Sequence, residues 1–260
     1  MTANAGSSAD GGAASPCPKG ARDARPPEAP KRLRALRPRD AATLIILDRS
    51  AGEAKVLMGR RHAAHAFMPG KYVFPGGRVE PDDRRMRAAG ALDADVEAKL
   101  NARVPHPSPG FARAIALAAI RETFEETGLA IGVAGYGAPS VAPPGAWARF
   151  AALGVYPALD GVDFLARAIT PPGRPRRFDA RFLLVDASAV AGRVEGVVHP
   201  EAELVDLVWT PLDKARELDL PLITHLALDD LARALNDGLD RKRPRPFYRE
   251  LRGKRLREEL

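Results

Sequence analysis

The chain has 260 residues, 45% of them hydrophobic, a net charge of +7 and one cysteine. It holds no apolar run of about eighteen residues, which excludes a membrane-spanning helix. The lone Cys17 excludes an internal disulfide framework and suits a reducing compartment, here expected to be the cytoplasm. The charge is unevenly placed: residues 1–40 carry eight Lys/Arg against four Asp/Glu, residues 241–260 carry nine against three, and the body between is slightly acidic. No specific nucleic-acid partner is therefore expected of the body, and oligomeric state is left open.

Residues 1–39 are rich in Ala, Gly, Ser, Pro and Arg without periodicity and read as a disordered tail. They have neither the apolar centre of a secretory signal nor the early basic residues of a transit peptide. A domain is expected over 40–240. Its first strand is the run Ala41–Leu47, with Lys55–Arg61 as hairpin partner, ending in Arg60, Arg61 and His62, cations that could reach a bound diphosphate. Lys71–Phe74 then runs into Pro75-Gly76-Gly77, where paired glycines allow positive φ and close approach to a ligand.

The segment 84–110 is bracketed by prolines and contains a possible helix at 93–102. The helix beginning near Phe111 is the most informative element. Leu117, Ile120 and Phe124 make its apolar stripe, while Glu122, Glu125 and Glu126 crowd the opposite face and Gly128 supplies a C-terminal stop. Like charges at this spacing destabilise a helix by a few tenths of a kcal/mol per pair, and Arg121 offsets only part of that. A hard divalent cation, Mg²⁺ or Mn²⁺, suits such a carboxylate group.

Arg121-Glu122-Thr123-Phe124-Glu125-Glu126-Thr127-Gly128-Leu129 resembles the second half of the Nudix box, with Thr123 at a position normally apolar. Gly77 to Asp83 resembles its first half, Asp83 standing where Glu is usual. Between Asp83 and Arg121 lie 37 residues where the family usually has seven, so the box is split by an insertion at 84–110. The split box, with Arg167–Pro171 and Arg176–Phe182, resembles the branch containing the peroxisomal coenzyme A diphosphatases.

The resemblance implies an α/β/α sandwich with a mixed sheet, and metal-dependent hydrolysis of a diphosphate bond in a nucleoside diphosphate derivative, CoA or acyl-CoA by preference. Nucleotide sugars, NADH and dinucleoside polyphosphates are the alternative substrates, and a noncatalytic nucleotide sensor is the alternative role. Glu122, Glu125, Glu126 and Asp83 are the implied metal ligands, and Arg121 orients them. Glu125, Glu126, or a further acid at Glu201 or Glu203, would take the proton. Gly76, Gly77 and Arg61 would meet the substrate, and the insertion would stand at the mouth of the site as a lid or specificity element.

Later elements follow in order. A helix is expected through Trp147, Phe150 and Leu153, then a strand at 162–169 with Arg167 turned to water. Arg174, Arg176, Arg177 and Arg181 precede the strand 182–185, and Arg176, Arg177 and Arg181 are read as clamps for phosphate oxygens. A strand at 201–209 leads to a short helix from Leu212. A helix over 221–237 follows, with Leu222, Leu226, Leu231 and Leu235 as its core residues. Residues 241–260 read as a basic tail.

Overall fold

The computed structural model describes residues 36–65 and 68–260. The expected N-terminal tail lies, up to residue 35, outside these. Strand β1 (Arg39–Asp48) is the spine. Its side chains alternate between two cores: Ala42, Leu44 and Ile46 enter one, Ile45 and Leu47 the other. Burial on both faces is why this stretch reads as an unbroken apolar run.

Strands β2 (Lys55–Arg61), β3 (Tyr72–Val73) and β4 (Gly76–Arg78) lead to helices α1 (Pro81–Arg85), α2 (Ala94–Asn101) and α3 (Phe111–Thr127). Then come β5 (Leu129–Val133), α4 (Ala146–Ala151), β6 (Tyr156–Pro157), β7 (Asp163–Ile169), β8 (Phe178–Asp186), β9 (Val190–Arg193) and β10 (Leu204–Pro211). Helices α5 (Leu212–Ala215) and α6 (Leu222–Asn236) and strands β11 (Pro246–Leu251) and β12 (Lys254–Glu259) complete the order.

Among the described residues, nine strands form one sheet of order β10-β2-β1-β8-β7-β11-β12, with β3 on β2 and β4 on β1. The β1–β8 and β7–β11 pairs are parallel and the others antiparallel. Strands β6, β5 and β9 make a small second sheet. Helix α3 fills the core on one face of β1, and α6 contributes Ala227, Leu228, Leu231 and Ala234 to the core on the other. The result is the expected mixed α/β sandwich.

Four expectations are corrected. The segment 84–110 is not a lid: Met86, Val96 and Leu100 are buried in the α3 core, the i, i+4 pair Val96/Leu100 giving α2 an apolar face to bury. Its polar side points to the C-terminus, where Lys99 Nζ donates to Arg241 O (2.7 Å) and Arg103 pairs with Glu258 (2.7 Å).

The last residues are not a tail. Strands β11 and β12 form an antiparallel hairpin on the sheet edge beside β7. Arg252 and Gly253 both have positive φ (50° and 77°), as a two-residue hairpin turn matched to strand twist requires. The basic side chains that suggested a solvated tail lie along an exposed edge strand, where charge deters pairing with other chains.

Arg167 is buried, not turned to water. Its Nε and Nη2 donate to the two Asp179 oxygens (2.8 and 2.7 Å), Nη1 donates to Ala102 O, and the guanidinium lies 4.7 Å from the Phe247 ring centre.

In α6 the core stripe is rotated from the expected one. Leu231 is fully buried and Leu235 packs at the margin, but Leu222 is 63% exposed and Leu226 is half-buried, both facing an open cleft.

Candidate active site

Helix α3 presents Leu117, Ile120 and Phe124 to the core, all buried as expected. Thr123, the polar residue at an apolar position, is also buried, and its hydroxyl donates to Ala119 O one turn back (2.8 Å). Gly128 adopts φ 76° and its N–H donates to Phe124 O, closing the helix.

Arg121 is the hub of the acidic face. Its Nη1 lies 3.0 Å from Glu122 Oε1 and 2.6 Å from Glu125 Oε2, and Nη2 donates to Arg78 O (2.8 Å). Its other side grips Asp83, Nε to Oδ1 at 2.7 Å and Nη2 to Oδ2 at 3.2 Å. Glu126 accepts from the Gly76 N–H (3.2 Å) and lies 3.9 Å from Arg61 Nη2. Arg61 Nη2 also meets Glu203 Oε1 at 3.0 Å, which His65 Nε2 approaches at 3.4 Å.

Apart from Asp83, these groups line one cleft of about 980 Å³, near the upper end of the range for small-molecule sites. Its walls also include β1, the loop between β7 and β8, the start of α6 and the C-terminal hairpin.

No family model matches the chain, and no curated protein matches it. Among solved structures, a Nudix hydrolase from Alicyclobacillus acidocaldarius is 30% identical, with 74% of this chain and 90% of that one aligned at a TM-score of 0.54. The chain belongs to the Nudix hydrolases. More distant similarities include the Nudix domain of Shewanella oneidensis NrtR, solved with ADP ribose (13% identity, 80% and 94% covered, TM-score 0.42). Another is the MutT protein from Methanosarcina mazei Go1 (17%, 77% and 98%, TM-score 0.41).

In this Nudix hydrolase Glu122 and Glu126 are held in environments that disfavour their charge. Burial pushes Glu122 up to about 7, Arg121 opposing the rise and Glu125 adding to it. Burial also lifts Glu126 well above the usual carboxylate range, with the Glu203 charge raising it further and Arg61 countering. For Arg121, burial works against the charge, but Asp83, Glu122 and Glu125 outweigh it and hold the guanidinium firmly protonated.

Nudix hydrolases generally use divalent metal ions. Among the described residues no three His, Cys, Asp or Glu side chains are drawn together as a ready-made cage. Glu122 and Glu125 splay onto Arg121, and Glu126 onto Gly76 and Arg61. The donor set nevertheless fits a hard cation: it consists of carboxylate oxygens on flexible side chains facing the cleft, and two of the three carry charge that burial leaves undercompensated.

The candidate residues separate by position. Arg121, Glu122, Glu125, Glu126, Gly76, Gly77, Arg61, Arg176 and Glu203 all line the cleft. Asp83, Glu201, Arg177 and Arg181 do not. Asp83 is fully buried and its oxygens accept four hydrogen bonds, two from Arg121, one from Trp147 Nε1 (3.1 Å) and one from the Glu80 N–H (2.8 Å). That leaves no oxygen for a cation, so it anchors Arg121. Glu201 is solvent-exposed and meets His199. Arg177 donates to Thr170 O and Leu36 O. Arg181 is completely buried against Asp40, Asp179 and the Phe111 ring.

Gly76 and Gly77 serve the protein's own packing. Neither has positive φ, and a β-carbon on Gly76 would fall 2.5 Å from Ala42 O. Glu80 and His65 in the cleft were not singled out from sequence. The signal for Glu80 was its place between the two glycines and Asp83. His65 carried none, since its role depends on a glutamate far along the chain.

Proposed function

We propose that this Nudix hydrolase cleaves the diphosphate bond of nucleoside diphosphate derivatives, with CoA or an acyl-CoA as preferred substrate. The observation that carries the reading is that Glu122, Glu125 and Glu126 of α3 all line one cleft large enough for a whole nucleotide derivative. The CoA preference rests on the resemblance of the split box and of the segments Arg167–Pro171 and Arg176–Phe182 to the coenzyme A diphosphatase branch.

Glu122, Glu125 and Glu126 would hold Mg²⁺ or Mn²⁺, which when bound supplies charge neutralisation at the diphosphate and lowers the pKa of a coordinated water. Arg121, fixed from behind by Asp83, keeps Glu122 and Glu125 in register. Arg61 and Arg176 meet phosphate oxygens from the other walls, where a guanidinium can bond them in bidentate fashion. Glu203 is the proton acceptor in this reading, which is supported by its lining the cleft beside Arg61 and His65 while Glu201 does not. Water adds to one phosphorus, the bridging P–O bond breaks, the proton goes to the acceptor, and two phosphate monoesters leave.

The test is cation-dependent turnover of CoA, an acyl-CoA, ADP-ribose, NADH and a dinucleoside polyphosphate, with Glu125→Gln as control. Release of 4′-phosphopantetheine from CoA, lost in the variant, supports both parts. Turnover of another member only keeps the chemistry and removes CoA.

A further inference from the structure

We propose that the start of α6 and the C-terminal hairpin form an apolar shelf that receives an uncharged, chain-like portion of the diphosphate substrate. This rests on the diphosphatase reading and adds what the far side of the cleft selects.

Leu222, at the first position of α6, is 63% exposed, and Leu226 lies one turn further on the same side. Leu256 of β12 lines the same cleft, as do Ile169 and Phe178 at the ends of β7 and β8. A single exposed leucine is unremarkable on a protein surface. Five apolar side chains from three separated parts of the chain lining one cavity are not a scatter, and the cavity is continuous with the carboxylates. Sequence periodicity assigns Leu222 and Leu226 to the core. Their opening onto the cleft is the kind of local mismatch that a binding surface produces.

The shelf is also held in place. Tyr248 donates its hydroxyl to buried Asp230 on α6 (2.9 Å), Arg249 pairs with Glu258 across the hairpin, and Arg103 of the 84–110 segment pairs with Glu258 (2.7 Å). A wall pinned to α6 and to the core loses little entropy on binding. The apolar side chains suit methylene groups, while Arg249, Glu250 and Arg255 of the hairpin line the same cleft and are left to polar parts of the substrate.

The experiment uses a series of ADP monoalkyl esters, methyl to octyl, that differ only in chain length. For the wild-type protein with Mg²⁺, kcat/KM should rise about threefold per methylene over the first several carbons, the factor expected for apolar area leaving water. Leu256→Asp should flatten that slope. Leu222→Asp, at a position 63% exposed and at the first turn of α6, should do so as well with the fold kept. A flat slope in the wild type, or an unchanged slope in both variants, overturns the shelf. If no ester is hydrolysed, the diphosphatase reading stands or falls on the substrate panel above. The same slope read from calorimetric dissociation constants then decides the shelf: a rise in affinity with chain length supports it, and none overturns it.

Discussion

Gly77 lies directly beneath Glu122: a β-carbon built on Gly77 would stand 2.4 Å from the Glu122 carboxylate. The glycine that looks like a ligand-binding turn in the sequence is needed so that β4 can pass under a glutamate of α3. Gly77→Ala should therefore displace Glu122 and not the backbone, because the crowded atoms are the end of a flexible side chain. Turnover should fall by about a hundredfold, as for a misplaced catalytic group, with little change in melting temperature. Loss of folding with turnover per folded molecule preserved would contradict this.

The raised Glu122 carboxyl gives stability a pH dependence. Its ordinary value is 4.5 and its folded value is about 7. Between these the folded chain keeps a proton that the unfolded chain releases. In chelator, the Glu122 contribution to stability is therefore full below 4.5 and is lost as pH rises to 7, by on the order of 3 kcal/mol. Glu126 acts in the same direction. Glu122→Gln should shallow the slope of melting temperature against pH, and saturating Mg²⁺ should reverse it by favouring the charged forms. An identical slope in Glu122→Gln would remove the assignment.

Asp83 separates an anchoring role from a ligand role. Asp83→Ala leaves the buried Arg121 guanidinium without its main partner and the Trp147 N–H without an acceptor. Breaking a buried pair of this kind costs about 3–5 kcal/mol, so the melting temperature should drop sharply. The stabilising increment from added Mg²⁺ should persist in the folded fraction. Its disappearance, with the fold intact, would return Asp83 to the ligand set.

Arg103 ties the 84–110 segment to the hairpin through Glu258, a pair that is partly exposed. Such pairs are worth at most about 1 kcal/mol, so Arg103→Ala should barely change stability. Loosening the hairpin should raise KM for a chain-bearing substrate by up to about fivefold while kcat stays near the wild-type value. A fall in kcat with KM constant would mean that the segment acts on the chemistry.

Much of the fold was legible because it is written in local patterns. The run Ala41–Leu47, the stripe Leu117/Ile120/Phe124 and the stop at Gly128 give β1 and α3 without knowledge of their neighbours. The hairpin at the C-terminus was missed, because nine basic residues in twenty gave it the look of a solvated tail and hid the turn at Arg252-Gly253. Arg167 and Arg181 could not be placed from sequence. An arginine reads as solvent-facing unless its carboxylate is known, and Asp179 and Asp40 become neighbours only when β1, β7 and β8 align.

The sequence by itself determined the acid-bearing helix and its box, because residues three and four apart on a helix share a face whatever surrounds them. Only the tertiary structure decided which of the other polar residues face the cleft. Asp83 is turned inward by Arg121, 38 positions away, and Glu203 is brought to Arg61 by the pairing of β2 with β10. It also decided that Leu222 and Leu226 open onto the cleft, since helical periodicity fixes which residues share a face but not which face meets the core.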